Sequence, residues 1–472
     1  MSNLSPEQQL AVTTIQQPTC VLLKIPAVAG SGKTHTLKAI AIALQAKPSN
    51  SLYTAFQKAV ITEGQEKLSS YVDCRTLHSL AYKYIYPMFK TEVHGNLSIR
   101  MLPNSINTLD KTEVIESVEK FFTSSSTTLD YFNTLPDIQA TLARSIVNGI
   151  LDGEYPITFN FMLKYFHLGL LDGSIKVPPY KLLMLDEAGD TTGVILEIFK
   201  LIKAEKKVMA GDPQQNIYTF MNTINGFEVL SKEGTSVFLT KSFRVSSIIA
   251  KEVQTFVRKY LDSEMVFEGV PNSGQPTNIA YISSTNATLI RRMFTLIEQG
   301  KSFQLIRKAS EIFALPLAVI TASSGKQVYN KQFKYLEKDY RRFTQQTTST
   351  SFLAYLKRAY PEDIRMASTI GLLTRHGYPE IFKLYSAVKN SHAKKSTRIL
   401  TTAFTSKGMT FDSVYIEDDL NTATVRAEID PSTPSNKTTL RLAYTAVTRA
   451  RLSIFNCKFL ELPDYPIDII LH

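Results

Sequence analysis

The sequence predicts an α/β protein built on a parallel sheet, and three stretches predict it. Val21–Leu37 runs from an apolar strand, Val21 to Ile25, through a loop of small residues into a helix on which Leu37, Ile40, Ala41 and Leu44 recur at helical spacing. Lys181–Glu187 is an apolar strand that ends in two acids. Val208-Met209-Ala210 is a further strand, opening into Gly211-Asp212-Pro213-Gln214-Gln215-Asn216-Ile217-Tyr218-Thr219-Phe220. Strands alternating with helices, with polar groups collected at the strands' carboxyl ends, are the mark of a doubly wound sheet.

The first stretch has the order of a phosphate-binding loop, in which backbone N–H groups and a helix N-terminus converge on an anion. Its contacts are assigned to Ala27, Gly30, Ser31, Gly32, Lys33, Thr34 and His35, with Lys33 reaching the β/γ-phosphates and the Thr34 hydroxyl ligating Mg²⁺. Ala27 stands where the usual pattern has its first glycine. A match this loose arises by chance in roughly one chain in thirty of this length. The flanking strand and helix set this one apart, and they point to a nucleoside triphosphate.

At 472 residues the chain divides into two to four domains, and 44% hydrophobic content is enough for real cores. No apolar run approaches a bilayer-spanning length, and Met1–Gln9 lacks the charged and apolar regions of a signal peptide. Cys20, Cys74 and Cys457 form no Cys-x-x-Cys pair, which argues against a disulfide framework and a zinc site. The expectation is a soluble protein of a reducing intracellular compartment, cytoplasm or nucleoid. A net charge of +11 favours a polyanionic partner and, with a phosphate loop, narrows the field to nucleic-acid motors, kinases and transport ATPases.

In chain order, Leu4–Val12 reads as a helix capped by Ser5 with Pro6 at its first position. Gln8, whose amide suits the edges of adenine, would by itself be a surface glutamine. Ser51–Ala55 reads as a strand, capped by Phe56-Gln57-Lys58, and Cys74–Ser79 as a second polar strand end. Phe56, Lys58, Thr76 and His78 are placed to hold a nucleic-acid strand, against the alternative that Phe56 and His78 are core and cap residues. Residues 80–178 read as a helical insertion, with a loop at Thr123–Thr128 and aromatic helical residues over Tyr155–Tyr165. Asp186 suits Mg²⁺ and Glu187 the attacking water. On the next strand end, polar amides suit the γ-phosphate, while Tyr218 and Phe220 present rings to bases.

Taken together these stretches resemble the UvrD/Rep-like helicases of superfamily 1, and most closely their F-box DNA helicase branch, whose third motif reads Gly-Asp-Pro-x-Gln-x-Ile-Tyr-x-Phe. Leu239–Arg244 resembles motif IV, Thr402–Phe411 motif V and Ala443–Ala450 motif VI, while Tyr281–Leu289 resembles the segment opening the second motor domain's inner helix. The blocks follow the family's order from Leu4 to Ala450, over about half of the chain.

The resemblance implies that Gln8 reads adenine, Phe243 stacks on it where the family usually has tyrosine, and Gln215 couples phosphate state to domain movement. Arg244 and Arg449 are the implied arginine fingers of the second motor domain. Gly408 and Thr410 fall at the nucleotide, and Thr402 and Phe404 on the DNA track. The chain departs from the family at Gly189 (usually Gln), Met221 (Arg), Phe404 (His) and Thr410 (Glu, a ribose contact). The segment 301–396 falls where the family inserts its second accessory domain. It interleaves Lys326, Tyr329, Lys331, Lys334, Tyr335, Lys338, Tyr340, Arg341 and Arg342, which fits a nucleic-acid surface or, more often, a solvated helical face. Asp430–Lys437 reads as an exposed loop.

The resulting architecture is two RecA-like P-loop motor domains with parallel sheets, 1–79 plus 179–277 and 278–300 plus 397–472, with mainly helical accessory insertions at 80–178 and 301–396. The implied activity is ATP- and Mg²⁺-dependent translocation along single-stranded DNA with duplex unwinding, 3′→5′ by family analogy. The implied enzyme is a monomer that meets single-strand/duplex junctions and replication or recombination proteins, and no membrane. The alternatives are a translocase that strips proteins from DNA, and a nucleotide-gated DNA-binding or recombination-mediator protein that does not unwind.

Overall fold

A computed structural model of the chain describes residues 4–89, 92–98, 108–271, 274–346, 350–390 and 395–462. The parts of the predicted domains that fall on other residues lie outside the described residues. By its internal contacts the chain forms two compact units, Met1–Ser242 and Phe243–His472.

In the first unit, strands β1 (Leu22–Pro26), β2 (Ser51–Ala55), β3 (Asp73–Cys74), β4 (Tyr180–Asp186), β5 (Ala204–Gly211) and β6 (Thr235–Ser236) form one parallel sheet in the order β6-β1-β5-β4-β2-β3. The register aligns their carboxyl ends: Pro26 lies opposite Gly211, and Ala55 opposite Asp186. The segments that follow β1, β2, β4 and β5 therefore leave the sheet side by side at this edge. Because side chains alternate along a strand, Leu23, Ile25, Tyr53, Leu182, Met184 and Val208 share one face, covered by helices α1 (Pro6–Gln16), α2 (Lys33–Ala43) and α3 (Lys58–Leu68). Leu52, Leu183, Leu185 and Met209 share the other face, with helices α4 (Leu77–Phe89), α5 (Thr108–Thr123), α6 (Asp137–Leu151), α7 (Phe159–Leu171) and α8 (Gly193–Leu201).

The helical insertion begins earlier than expected, since α4 already starts at Leu77. It is also not a separate lobe. Phe121, Phe122, Phe132, Phe161 and Phe166 belong to the same continuous core as Leu52, Leu183 and Leu185 of the sheet. Each such buried ring is worth ~1.5–3 kcal/mol over its exposed state, which is what holds α4–α7 on the sheet.

In the second unit, β7 (Ile279–Ser283), β8 (Gln304–Leu305), β9 (Arg398–Thr402), β10 (Phe411–Ile416) and β11 (Ala450–Phe455) form a parallel sheet in the order β8-β9-β7-β10-β11. The helix Asn286–Glu298 follows β7, its first turn capped by the Thr285 hydroxyl accepting the Thr288 N–H. Three boundaries differ from the sequence reading. Residues 243–271 pack with this unit, because Phe256 meets Phe459 at 5.5 Å and Phe267 meets Tyr444 at 6.5 Å between ring centres. Gln304 and Leu305 pair with Ile399 and Leu400, so the second insertion leaves the sheet only after Leu305. Asp430–Lys437 is not all loop: Thr433 caps a helix that starts at Pro434, where proline's fixed φ suits the first turn.

No helix among the described residues is long and apolar enough to cross a membrane. The three cysteines are free thiols.

Candidate functional site

The loop between β1 and α2 is anchored at both sides before it reaches the helix. The Ala27 N–H donates to the Gly211 carbonyl at 2.9 Å, and the Val28 N–H to the Leu239 carbonyl at 3.0 Å. Gly30 and Gly32 both have φ of +80°, a left-handed backbone that favours glycine. Ala27 is not among the non-glycine residues in that region, which explains why a methyl group is tolerated where the usual pattern has glycine.

Gln8 is not at the surface: it is 2% exposed. Its side-chain oxygen accepts the Ser5 N–H and its amide donates to the Ser31 carbonyl at 3.1 Å, so a capping box is wired to the loop between β1 and α2. Glu7, one residue before it, accepts from the Thr240 N–H at 2.9 Å. The buried Ser31 hydroxyl has no hydrogen-bond partner among the described residues. An orphaned hydroxyl in a loop of this shape fits a polar ligand such as phosphate.

Lys33, at the start of α2, lies 3.4 Å from the Glu187 carboxylate. Burial opposes its charge, but Glu187, Asp186 and Asp212 together hold its pKa above the ordinary lysine value. Asp186 ends β4 and is buried, with one oxygen accepting the Tyr53 hydroxyl at 2.6 Å and the other the Glu187 N–H at 2.8 Å. Burial and the neighbouring Glu187 push its pKa above the ordinary carboxylate value, against the pull of Lys33. Glu187 itself has φ of +53°, an uncommon conformation for a residue with a side chain, of the kind found at functional turns. Among the described residues no cluster of three or more His, Cys, Asp or Glu is arranged to hold a metal alone. The Asp186 carboxylate and the Thr34 hydroxyl are the hard oxygen donors that suit Mg²⁺ shared with phosphate and water.

Asp212 leaves β5 at the same edge. It accepts from the Gln214 N–H at 3.0 Å and the Gln215 amide at 2.8 Å. Sequence reasoning assigned Gln215 a role but passed over Asp212 and Tyr53. Asp212 was findable by the logic that found Asp186, an acid directly after a strand. Tyr53 was not, because nothing local distinguishes it from a core tyrosine. The departure at Gly189 has a steric cause: a Cβ there would lie 2.4 Å from the Asp212 carbonyl oxygen. Gly211 and Gly226 press on Ala188 in the same way, so the turn after Glu187 and the loop after β5 are packed backbone to backbone.

The aromatic residues separate. Phe220 is 70% exposed, at 6.0 Å from Tyr218 in an edge-to-face pair. Tyr218 is half-buried and hydrogen-bonded to Gln57, and burial with nearby Asp190 pushes its pKa up to about 12. That bond joins the loop after β5 to the end of β2, where Lys58 is exposed and Phe56 packs on the core. His78 and Thr76 have structural partners instead. His78 bonds Asn160 at 3.1 Å, which in turn donates to Glu119, tying α4 to α7 and α5. The Thr76 hydroxyl caps the start of α4 by accepting the Ser79 N–H. His35 is half-buried on the first turn of α2.

In the second unit Phe243 is half exposed, and Arg244 donates to the Thr410 hydroxyl at 3.3 Å. Gly408 has φ of +85° and is exposed. Thr402 caps the short helix that carries half-buried Phe404. Arg449 is 2% exposed and donates to the carbonyls of Thr445 and Met409 and to the Thr448 hydroxyl. In the basic stretch, Tyr340 packs edge-on to Phe352 and Tyr335 against Tyr360, while Lys331, Lys334, Lys338, Arg341 and Arg342 are exposed. Tyr329, by contrast, is 85% exposed beside these basic residues.

Residues 8–221 match a protein-family model described as an AAA domain. The chain is also similar to F-box DNA helicase 1 of Gallus gallus, 24% identical over 93% of this chain and 48% of the relative. With F-box DNA helicase protein 1 of Schizosaccharomyces pombe it shares 24% identity over 95% of this chain and 56% of the relative. The chain thus spans about half the length of the curated relatives it matches.

Proposed function

We propose that the chain is an ATP-hydrolysing motor that moves along single-stranded DNA, 3′→5′, and opens duplex at single-strand/duplex junctions, acting as a monomer. The observation that carries this reading is the strand-end edge of the first unit, where Lys33, Asp186, Glu187 and Asp212 gather under a left-handed glycine loop and the exposed Phe220 projects from the same loop as Asp212. Its similarity to proteins named DNA helicases supports DNA as the track.

In this reading the loop N–H groups, Ser31 and Lys33 hold the phosphates, and Glu187 takes the proton of the attacking water. Asp186 and Thr34 would hold Mg²⁺, which when bound offsets charge on the phosphoryl oxygens. Gln215, Arg244 and Arg449 keep the roles the resemblance implies. The Arg449 guanidinium would first exchange the backbone bonds it makes in its own unit. Adenine recognition by Gln8 would likewise exchange one of its two bonds, to Ser5 or Ser31. Phe220, Tyr218 and Lys58 form the first unit's part of the track; Phe56, Thr76 and His78 act there as packing, capping and bracing groups. The intact acid and lysine set disfavours a protein that only binds DNA.

Strand displacement on duplexes tailed at either end, with and without ATP, tests the proposal. The expected result is ATP-dependent displacement of 3′-tailed substrates. ATP turnover without displacement in either polarity would favour the protein-stripping translocase instead.

A further inference from the structure

We infer that Tyr53 is a positioning residue for the Mg²⁺-binding carboxylate, an inference that rests on the proposed nucleotide site. Tyr53 lies on β2 opposite Met184, two residues before the Ala55–Asp186 pair, and it shares the sheet face of Ala55. Its ring fills the core between the sheet and α3, and its hydroxyl emerges at the strand ends to donate to Asp186 at 2.6 Å. A phenylalanine would fill the same volume, so packing alone does not account for the hydroxyl.

The helix above is cut to fit. Gly64 sits in the interior of α3, where glycine is a poor helix former, and a Cβ there would lie 2.4 Å from the Tyr53 ring. The missing side chain lets the ring lie where its hydroxyl meets Asp186. With Tyr53 on one oxygen and the Glu187 N–H on the other, the carboxylate's rotation is fixed from both sides. Hydrogen bonds to a ligating carboxylate orient it, and their loss typically costs 10- to 100-fold in metal affinity.

The test is binding of a fluorescent ADP analogue to the full chain across a Mg²⁺ titration and in EDTA, for wild type, Tyr53→Phe, Asp186→Asn and the double variant. Tyr53→Phe is expected to raise the Mg²⁺ midpoint about tenfold with affinity in EDTA unchanged, and to add nothing in the Asp186→Asn background. An unchanged midpoint, or equal loss with and without Mg²⁺, overturns the inference while leaving the nucleotide site standing. Wild type that binds the analogue without regard to Mg²⁺ overturns the site reading itself, and the inference with it. Should Tyr53→Phe fold poorly, Gly64→Ala retains the phenol but displaces the ring. It is expected to move the midpoint in the same direction, and an unmoved midpoint in this folded variant also overturns the inference.

Discussion

The loop from Gly211 to Phe220 begins and ends in opposite environments. At its start Asp212 and Gln215 are buried, bonded to each other and pressed against the turn after Glu187. At its end Phe220 is mostly in water. Ten residues thus join a region whose free energy lies in fixed charges to one whose free energy is held as uncovered apolar surface. In the proposed function this difference would let one segment sense phosphate at its buried end and stack on a base at its exposed end, only ten residues apart.

The comparison can be broken by substitution, and the largest effect is expected at the buried end. Glu187→Gln should bind ATP normally and hydrolyse it ~10²–10⁴-fold more slowly, because the amide holds water but takes no proton. Equal loss of nucleotide binding in an equilibrium assay would make Glu187 a structural group. Lys33→Ala should lower turnover ~10²–10³-fold while single-strand affinity is retained. Turnover above about a tenth of wild type would remove Lys33 from the phosphate site.

At the exposed end, Phe220→Ala should cost ~1–3 kcal/mol in single-strand affinity at every salt concentration, leaving the salt slope and melting temperature almost unchanged. A destabilised protein with unaltered DNA affinity would show that the ring serves the fold. The smallest effect lies away from both ends. Burial foremost, with Lys164 nearby, lowers the His167 pKa to about 4. Below pH ~6.5 the unfolded chain then takes a proton that the folded chain refuses, so stability falls as pH drops from about 6.5 towards 4. His167→Phe should flatten that fall by about 1 kcal/mol after allowance for screening, or roughly 2–4 °C in melting temperature across the window.

Much of this molecule was legible before its structure. Continuous apolar runs located β1, β4 and β5, because these strands are buried on both faces, and the 3.6-residue recurrence of Leu37, Ile40 and Ala41 located α2. That Lys33, Asp186 and Glu187 belong together was legible because each stands at a fixed place directly beside a strand end, and the structure brings them together. What the sequence hid was pairing across distance. Gln8 looks like a surface residue until Ser31 is beside it, and Tyr53 looks like filling until Asp186 is within reach. His78 looked like a nucleic-acid contact until Asn160, far along the chain, took its ring nitrogen. The insertions were misjudged at their edges for the same reason: β8 is two residues long, too short to show periodicity, and is defined only by its pairing with β9.

The strand order of the first sheet carries a consequence for synthesis. Strand β1 is made early, yet both its neighbours, β5 and β6, come from the far end of the unit. Roughly 180 residues separate β1 from β5, so at 5–20 residues per second β1 emerges from the ribosome ~10–35 s before it has an edge to pair with. During that interval the glycine loop has no sheet behind it, and the growing chain carries an unpaired apolar strand that must be kept from other chains. The proposed nucleotide site is consequently among the last parts of its unit to form, although its glycine loop is made long before β5 and β6.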